Sequence, residues 1–169
     1  MIQNDPILFQ KAISFAARRQ MRLGQRLGLG KHGIVLVAES NLKAMRSAIK
    51  IHSEAEAYHR ERSVYERLAE HGVKEIEGFN VPQLLSVDDE LLVIEMTVVT
   101  RPYVLDFAGA YLDRPPEFPA GVLEDWEAAK REEFEANWKV VESVLQTLRW
   151  HGVYLFDVNT NNIAFLDRG

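Results

Sequence analysis

The chain has 169 residues, of which 47% are apolar and 27% charged, with no cysteine and a formal net charge of −5. These values suit one domain or two small lobes around a buried core, and they exclude a disordered chain, a disulfide scaffold and a thiolate metal site. The acidic balance argues against a nucleic-acid partner. No apolar stretch approaches the ~20 residues of a membrane span. Met1 to Pro6 lacks a secretory signal, so the expected setting is cytoplasmic, with no membrane partner.

Asp5-Pro6 reads as a helix start, because Asp can cap free N–H groups and Pro suits the first turn. Ile7, Phe9, Ile13 and Ala16 or Ala17 recur at roughly helical spacing up to Arg18-Arg19, which predicts a packing helix with that face inward. A strand is expected from about Met21 to Leu27. Then comes Gly28-Leu29-Gly30-Lys31-His32-Gly33-Ile34-Val35, a G-x-G-x-x-G-x-V pattern. Glycines so spaced let a backbone bend tightly and bring its N–H groups close to phosphates. The Rossmann fingerprint has the same letters but needs a helix after them. Here Ile34-Val35-Leu36-Val37-Ala38 favours a strand. A polar turn, Glu39-Ser40-Asn41, leads to a second apolar run that closes on Ala48-Ile49-Lys50-Ile51.

A helix is predicted over roughly Glu54 to His71, ending at His71-Gly72. Tyr58, Tyr65 and Leu68 share one face, and Glu61 falls on it, whereas Glu66 and Glu70 do not. A carboxylate on an apolar stripe needs a partner, and Lys50 is the candidate. Val81 to Val87 and Glu90 to Val99 read as strands joined by an Asp88-Asp89 turn. The segment Arg101 to Gly121 is irregular and punctuated by proline, with a short helix possible over Tyr103 to Leu112. From Val122 to Trp150 an apolar stripe persists: Leu123, Trp126, Phe134, Trp138, Val141, Leu145 and Leu148. It predicts one long helix, or two with a bend, ending at His151-Gly152. Trp126, Trp138 and Trp150 are read as core, and Lys130-Arg131-Glu132-Glu133 as a solvated face.

The last stretch, Gly152 to Phe165, holds Asp157-Val158-Asn159-Thr160-Asn161-Asn162, a D-x-x-x-x-N spacing followed by strand-like Ile163-Ala164-Phe165-Leu166. Asp and Asn are ordinary turn residues. A long helix before them and a strand after them make the spacing more specific.

Taken in order, the glycine pattern, Lys50, Glu61 and the Asp157/Asn162 loop resemble the protein-kinase-like superfamily from about Arg22 to the C-terminus. The resemblance implies an α+β, protein-kinase-like fold. Residues 1–97 would form an N-terminal helix and a nucleotide-binding lobe, a small antiparallel β-sheet with one main helix. Residues 98–169 would form a truncated, mostly helical lobe ending with the catalytic loop and one strand. ATP is the implied nucleotide, with Gly28, Gly30, Gly33, Val35, Ala48 and Lys50 in its binding set. Lys50 would pair with the α- and β-phosphates, and Glu61 would hold Lys50. Ile94 would be the gatekeeper, and the backbone at Glu95 and Thr97 would meet the adenine edge. Asp157 would orient the acceptor hydroxyl and take its proton, and Asn162 would bind Mg2+.

The implied activity is γ-phosphoryl transfer to a protein or small-molecule hydroxyl. The competing reading is a minimal pseudokinase, a non-catalytic binding or regulatory module, and a third is a purely structural α+β domain. The helical lobe is a candidate for self-association or a protein partner. The pattern also departs from the family. Leu155-Phe156 stands where His-Arg is usual, and Asn159 where serine/threonine kinases carry Lys. Asp167-Arg168-Gly169 mimics D-x-G, but only Ile163 to Leu166 separate it from Asn162. Strands advance ~3.3 Å per residue, which is too little for an intervening hairpin, so Asp167-Arg168-Gly169 is expected to be a turn. The isolated chain is therefore expected to be a weak or inactive enzyme.

Overall fold

A computed structural model describes residues 5–30, 32–42 and 44–166. In chain order the elements begin with α1 (Pro6–Arg18), β1 (Met21–Gly30), β2 (Gly33–Ser40), β3 (Arg46–His52) and α2 (Ala55–Glu70). Short strands follow: β4 (Glu75–Ile76), β5 (Phe79–Asn80), β6 (Leu84–Asp88), β7 (Val93–Thr97), β8 (Tyr103–Val104) and β9 (Tyr111–Leu112). The remainder is α3 (Val122–Phe134), a 3-10 turn at Glu135–Asn137, α4 (Trp138–Trp150), β10 (Val153–Tyr154) and β11 (Ile163–Ala164). The fold is mixed α+β. The expected turn at Asp167-Arg168-Gly169 lies outside the described residues. No helix among the described residues is long and apolar enough to cross a membrane.

The chain divides into two compact units, Met1–Arg62 with Gln83–Val98, and Ser63–Pro82 with Val99–Gly169. The first is built on an antiparallel five-stranded sheet in the order β1-β2-β3-β7-β6. Its central strands are rich in Val and Ile, which suit a pleated surface covered on both faces. On one face Leu8, Ala12 and Phe15 of α1 form a core with Ile34, Leu36, Ala38, Ile49, Ile51 and Val93. Strand alternation sends Ala48, Lys50, His52, Ile94 and Met96 to the other face, and all five are buried.

Asp5 caps α1 as its sequence suggests, its Oδ1 accepting the Ile7 N–H at 2.9 Å. The inward face differs from expectation. Leu8, Ala12, Phe15 and Ala16 are buried, while Ile7 and Ile13 are exposed. Apolar side chains occur on more than one side of this helix. Leu8, Ala12, Phe15 and Ala16, at spacings of four, three and one, form the stripe that fits the sheet.

In the second unit β11-β8-β5-β4 form one small sheet and β10-β9 another. The α2 helix ends as its sequence suggests. Gly72 takes a positive φ of 66°, and the Val73 N–H closes onto the Leu68 carbonyl. The short helix considered for Tyr103 to Leu112 is absent. Tyr103 pairs with both Asn80 and Ala164, and the Leu105 N–H donates to Asn162 O at 2.7 Å. Neighbouring strands thus take the hydrogen bonds that a helix would have made internally.

The long stripe forms two helices, broken where Glu135 adopts a positive φ of 47°. Phe134, Trp138, Val141, Leu145 and Leu148 are buried. Trp150, expected in the core, is 83% exposed, because it sits at the last position of α4, beyond the buried stripe. Gly152, with φ 77°, turns the chain there, and a Cβ on it would meet Arg67 Nη1 at 2.6 Å. That guanidinium makes a two-pronged ion pair with Asp113, at 2.7 and 3.0 Å.

Candidate functional site

The glycine pattern forms a tight β1–β2 hairpin. Gly28 pairs with Val35, Leu29 with Ile34, and Gly30 with Gly33. The strand runs further than Leu27, so Gly28 and Gly30 are extended backbone and the reversal lies between Gly30 and Gly33. The three glycines differ in what requires them. Gly33 has φ 154°, and a Cβ there would lie 1.9 Å from the Ile51 carbonyl oxygen. The close approach of β3 therefore demands glycine. A Cβ on Gly28 would make an ordinary contact with Val35, and one on Gly30 would meet nothing within 4 Å. Glycine weakens a strand interior, and the fold itself supplies no steric reason for Gly30.

Directly across the sheet from Val35 and Ile94 stands Lys50. Its Nζ lies 2.9 Å from Glu61 Oε1 and 2.8 Å from Glu61 Oε2. Glu61 is fully buried and Lys50 is 7% exposed. The ion pair suggested by the position of Glu61 on the helix face is therefore formed. A third buried polar residue, His52, belongs to no motif in the sequence. Its ring is fully buried, with Nε2 2.7 Å from Glu61 Oε2 and Nδ1 3.2 Å from the Leu92 carbonyl oxygen. The missed signal was simple alternation, since a residue two beyond Lys50 on a strand shares its face. Tyr58 packs edge-on against the His52 ring and donates its hydroxyl to Asp89 Oδ1 at 2.6 Å. Burial first, then the bond to Asp89, pushes the Tyr58 phenol well above its ordinary range.

On β7, Ile94 is buried on the Lys50 face, with Ala48 on the adjacent β3 and Val35 one strand further, on β2. Glu95 turns to the opposite face. Its carboxylate accepts from Ser47 Oγ at 2.8 Å and Ser86 Oγ at 2.6 Å, and Arg19 Nη1 lies 3.5 Å away. The Thr97 N–H donates to Gln83 O at 2.9 Å, while Thr97 Oγ1 accepts from Gln83 N–H. The Thr97 N–H, which the resemblance directs to an adenine edge, is thus committed within the sheet.

The second unit carries the D-x-x-x-x-N loop. Leu155 and Val158 are buried, and Asp157 between them is exposed. Asn162, itself buried, donates Nδ2 to the main-chain oxygen of Asp157 at 2.8 Å. Asn159 Oδ1 accepts the N–H groups of Asn161 and Asn162 at 2.9 and 3.2 Å, a side chain mimicking a turn. A Cβ on Gly109 would lie 2.9 Å from Asp157 Cβ, so glycine there makes room for the loop. Phe156 packs among Tyr111, Phe118 and Trp126, and Trp126 Nε1 donates to its carbonyl at 3.0 Å. The loop is therefore stiff, with one carboxylate facing outward.

The structure thus brings Lys50 and Glu61 together in the first unit, and Asp157 and Asn162 in the second. Among the described residues no group of three or more His, Asp or Glu could hold a metal ion. No family model, curated protein or solved structure matches the chain.

Proposed function

We propose that the chain is an ATP-binding protein of the kinase-like class that moves the γ-phosphoryl group to a hydroxyl of a protein or small molecule. The observation that carries the reading is the buried Lys50–Glu61 pair behind a glycine hairpin. Desolvating two charges is costly, and well-packed apolar residues would often serve stability as well or better. A lysine held by a buried carboxylate is an oriented cation, suited to phosphate oxygens. Gly30, open on its Cβ side, suits the close approach of a phosphate to backbone. Asp157 is an exposed carboxylate on a braced loop, able to align a hydroxyl and accept its proton.

The nucleotide fits the residues of the first unit. Magnesium fits less well, because Asn162 is neutral and no acidic cluster accompanies it among the described residues. That same observation favours the second reading, a nucleotide-holding module without chemistry. Calorimetry with ATP on the chain and on Lys50→Ala tests binding, with weaker binding by the variant expected. Turnover of radiolabelled ATP by the chain and by Asp157→Asn separates enzyme from module. No ATP binding at millimolar concentration would remove both readings.

A further inference from the structure

The His52 ring presents a hydrogen-bonding puzzle that Lys50 and Glu61 alone do not. Its Nδ1 faces the Leu92 carbonyl at 3.2 Å and its Nε2 faces Glu61 Oε2 at 2.7 Å. Both partners are acceptors when Glu61 is ionised, yet a neutral imidazole has one N–H to give. In a fully buried place an unmatched pair of acceptor atoms is costly. An imidazolium, with two N–H groups, satisfies both contacts.

We propose that His52 is a positioning residue of the nucleotide site, held doubly protonated between Leu92 and Glu61, so that Glu61 keeps a cationic partner when Lys50 turns to phosphate. The inference rests on the nucleotide reading above. A fully buried carboxylate with a single partner would hold that partner tightly, since losing it leaves an uncompensated charge. With His52 on the same carboxylate, Lys50 is released at lower cost.

The groups facing His52 are consistent with this charge. Among the described residues, Lys50 on its own strand and Glu61 from α2 are charged neighbours. Tyr58, also from α2, meets the ring edge-on and passes its hydroxyl to Asp89, which Arg62 also contacts at 2.6 Å. From α1, Lys11 Nζ donates to the His52 main-chain carbonyl at 3.3 Å.

Two measurements test the proposal. Nitrogen NMR of the nucleotide-free chain near neutral pH reads the His52 ring directly. Both ring nitrogens are expected in the imidazolium range, and a neutral tautomer overturns the proposal. Calorimetry at neutral pH then compares ATP affinity for the chain and for His52→Gln, each also in a Lys50→Ala background. A loss of roughly tenfold, equivalent to ~1.4 kcal/mol, is expected for His52→Gln with Lys50 in place and not without it. Unchanged affinity, or an equal loss in both backgrounds, overturns the positioning role. If the parent chain binds no ATP at millimolar concentration, the nucleotide reading falls with the positioning role, while the ring nitrogens still decide how Glu61 is held.

Discussion

Asn162 donates its side-chain amide to the main-chain oxygen of Asp157 at 2.8 Å, so the two ends of the D-x-x-x-x-N spacing are physically joined. The two residues should therefore fail in different ways. Asn162→Ala removes a buried donor and is expected to cost about 1–3 kcal/mol of stability, read from denaturant midpoints. Asp157→Asn changes an exposed side chain and should shift stability by less than about 0.5 kcal/mol, while abolishing any ATP turnover. Equal stability losses would show that the carboxylate, too, is structural.

The buried charge cluster predicts an order of effects. Glu61→Ala leaves Lys50 and His52 without their shared counter-charge and is expected to cost about 3–5 kcal/mol. Lys50→Met should cost less, because His52 still faces Glu61. Urea unfolding of both variants gives the comparison, and the reverse order would show that Lys50 alone holds the carboxylate.

Gly33 and Gly30 belong to one motif but answer to different constraints. Gly33→Ala drives a Cβ into the Ile51 carbonyl and should destabilise by more than about 3 kcal/mol. Gly30→Ala meets nothing and should stay within about 1 kcal/mol of the parent. If the nucleotide reading holds, Gly30→Ala instead weakens ATP binding in calorimetry. A neutral effect on both folding and binding would leave Gly30 without a role.

Stability should also depend on pH through a pair of histidines. His71 Nδ1 and His151 Nδ1 lie 2.9 Å apart, so one must donate and the other accept. Burial first, then the neighbouring His71, holds His151 below its ordinary value of 6.5. The unfolded chain consequently binds more protons than the folded one as pH falls below 6.5. This contribution is present above that pH and is lost as pH falls through the lowered folded-state value. Denaturant midpoints between about pH 7 and about pH 5 should fall less steeply for His151→Gln. Matching slopes would exclude the pair as the source.

Local chemistry made much of the fold legible. Asp5-Pro6 announced a helix start, and His71-Gly72 and His151-Gly152 announced helix ends, because caps and positive-φ glycines act within a few residues. The position of Glu61 on an apolar stripe pointed to Lys50, since an unpaired buried charge is costly. Other features depended on neighbours distant in sequence. Which side of α1 faces inward was decided by the sheet it covers, because apolar residues occur on more than one side. Tyr103–Val104 became a short strand, because Asn80, Ala164 and Asn162 claim the backbone from Tyr103 to Leu105. Glu95 became a buried anchor for Ser47 and Ser86 on one face of a strand whose other face carries Ile94. His52 acquired its place only when Leu92 and Glu61 closed on its two nitrogens. Periodicity and capping are properties of a single segment and can be read along the chain. The occupant of a second hydrogen-bonding position is a property of packing, and only the folded chain supplies it.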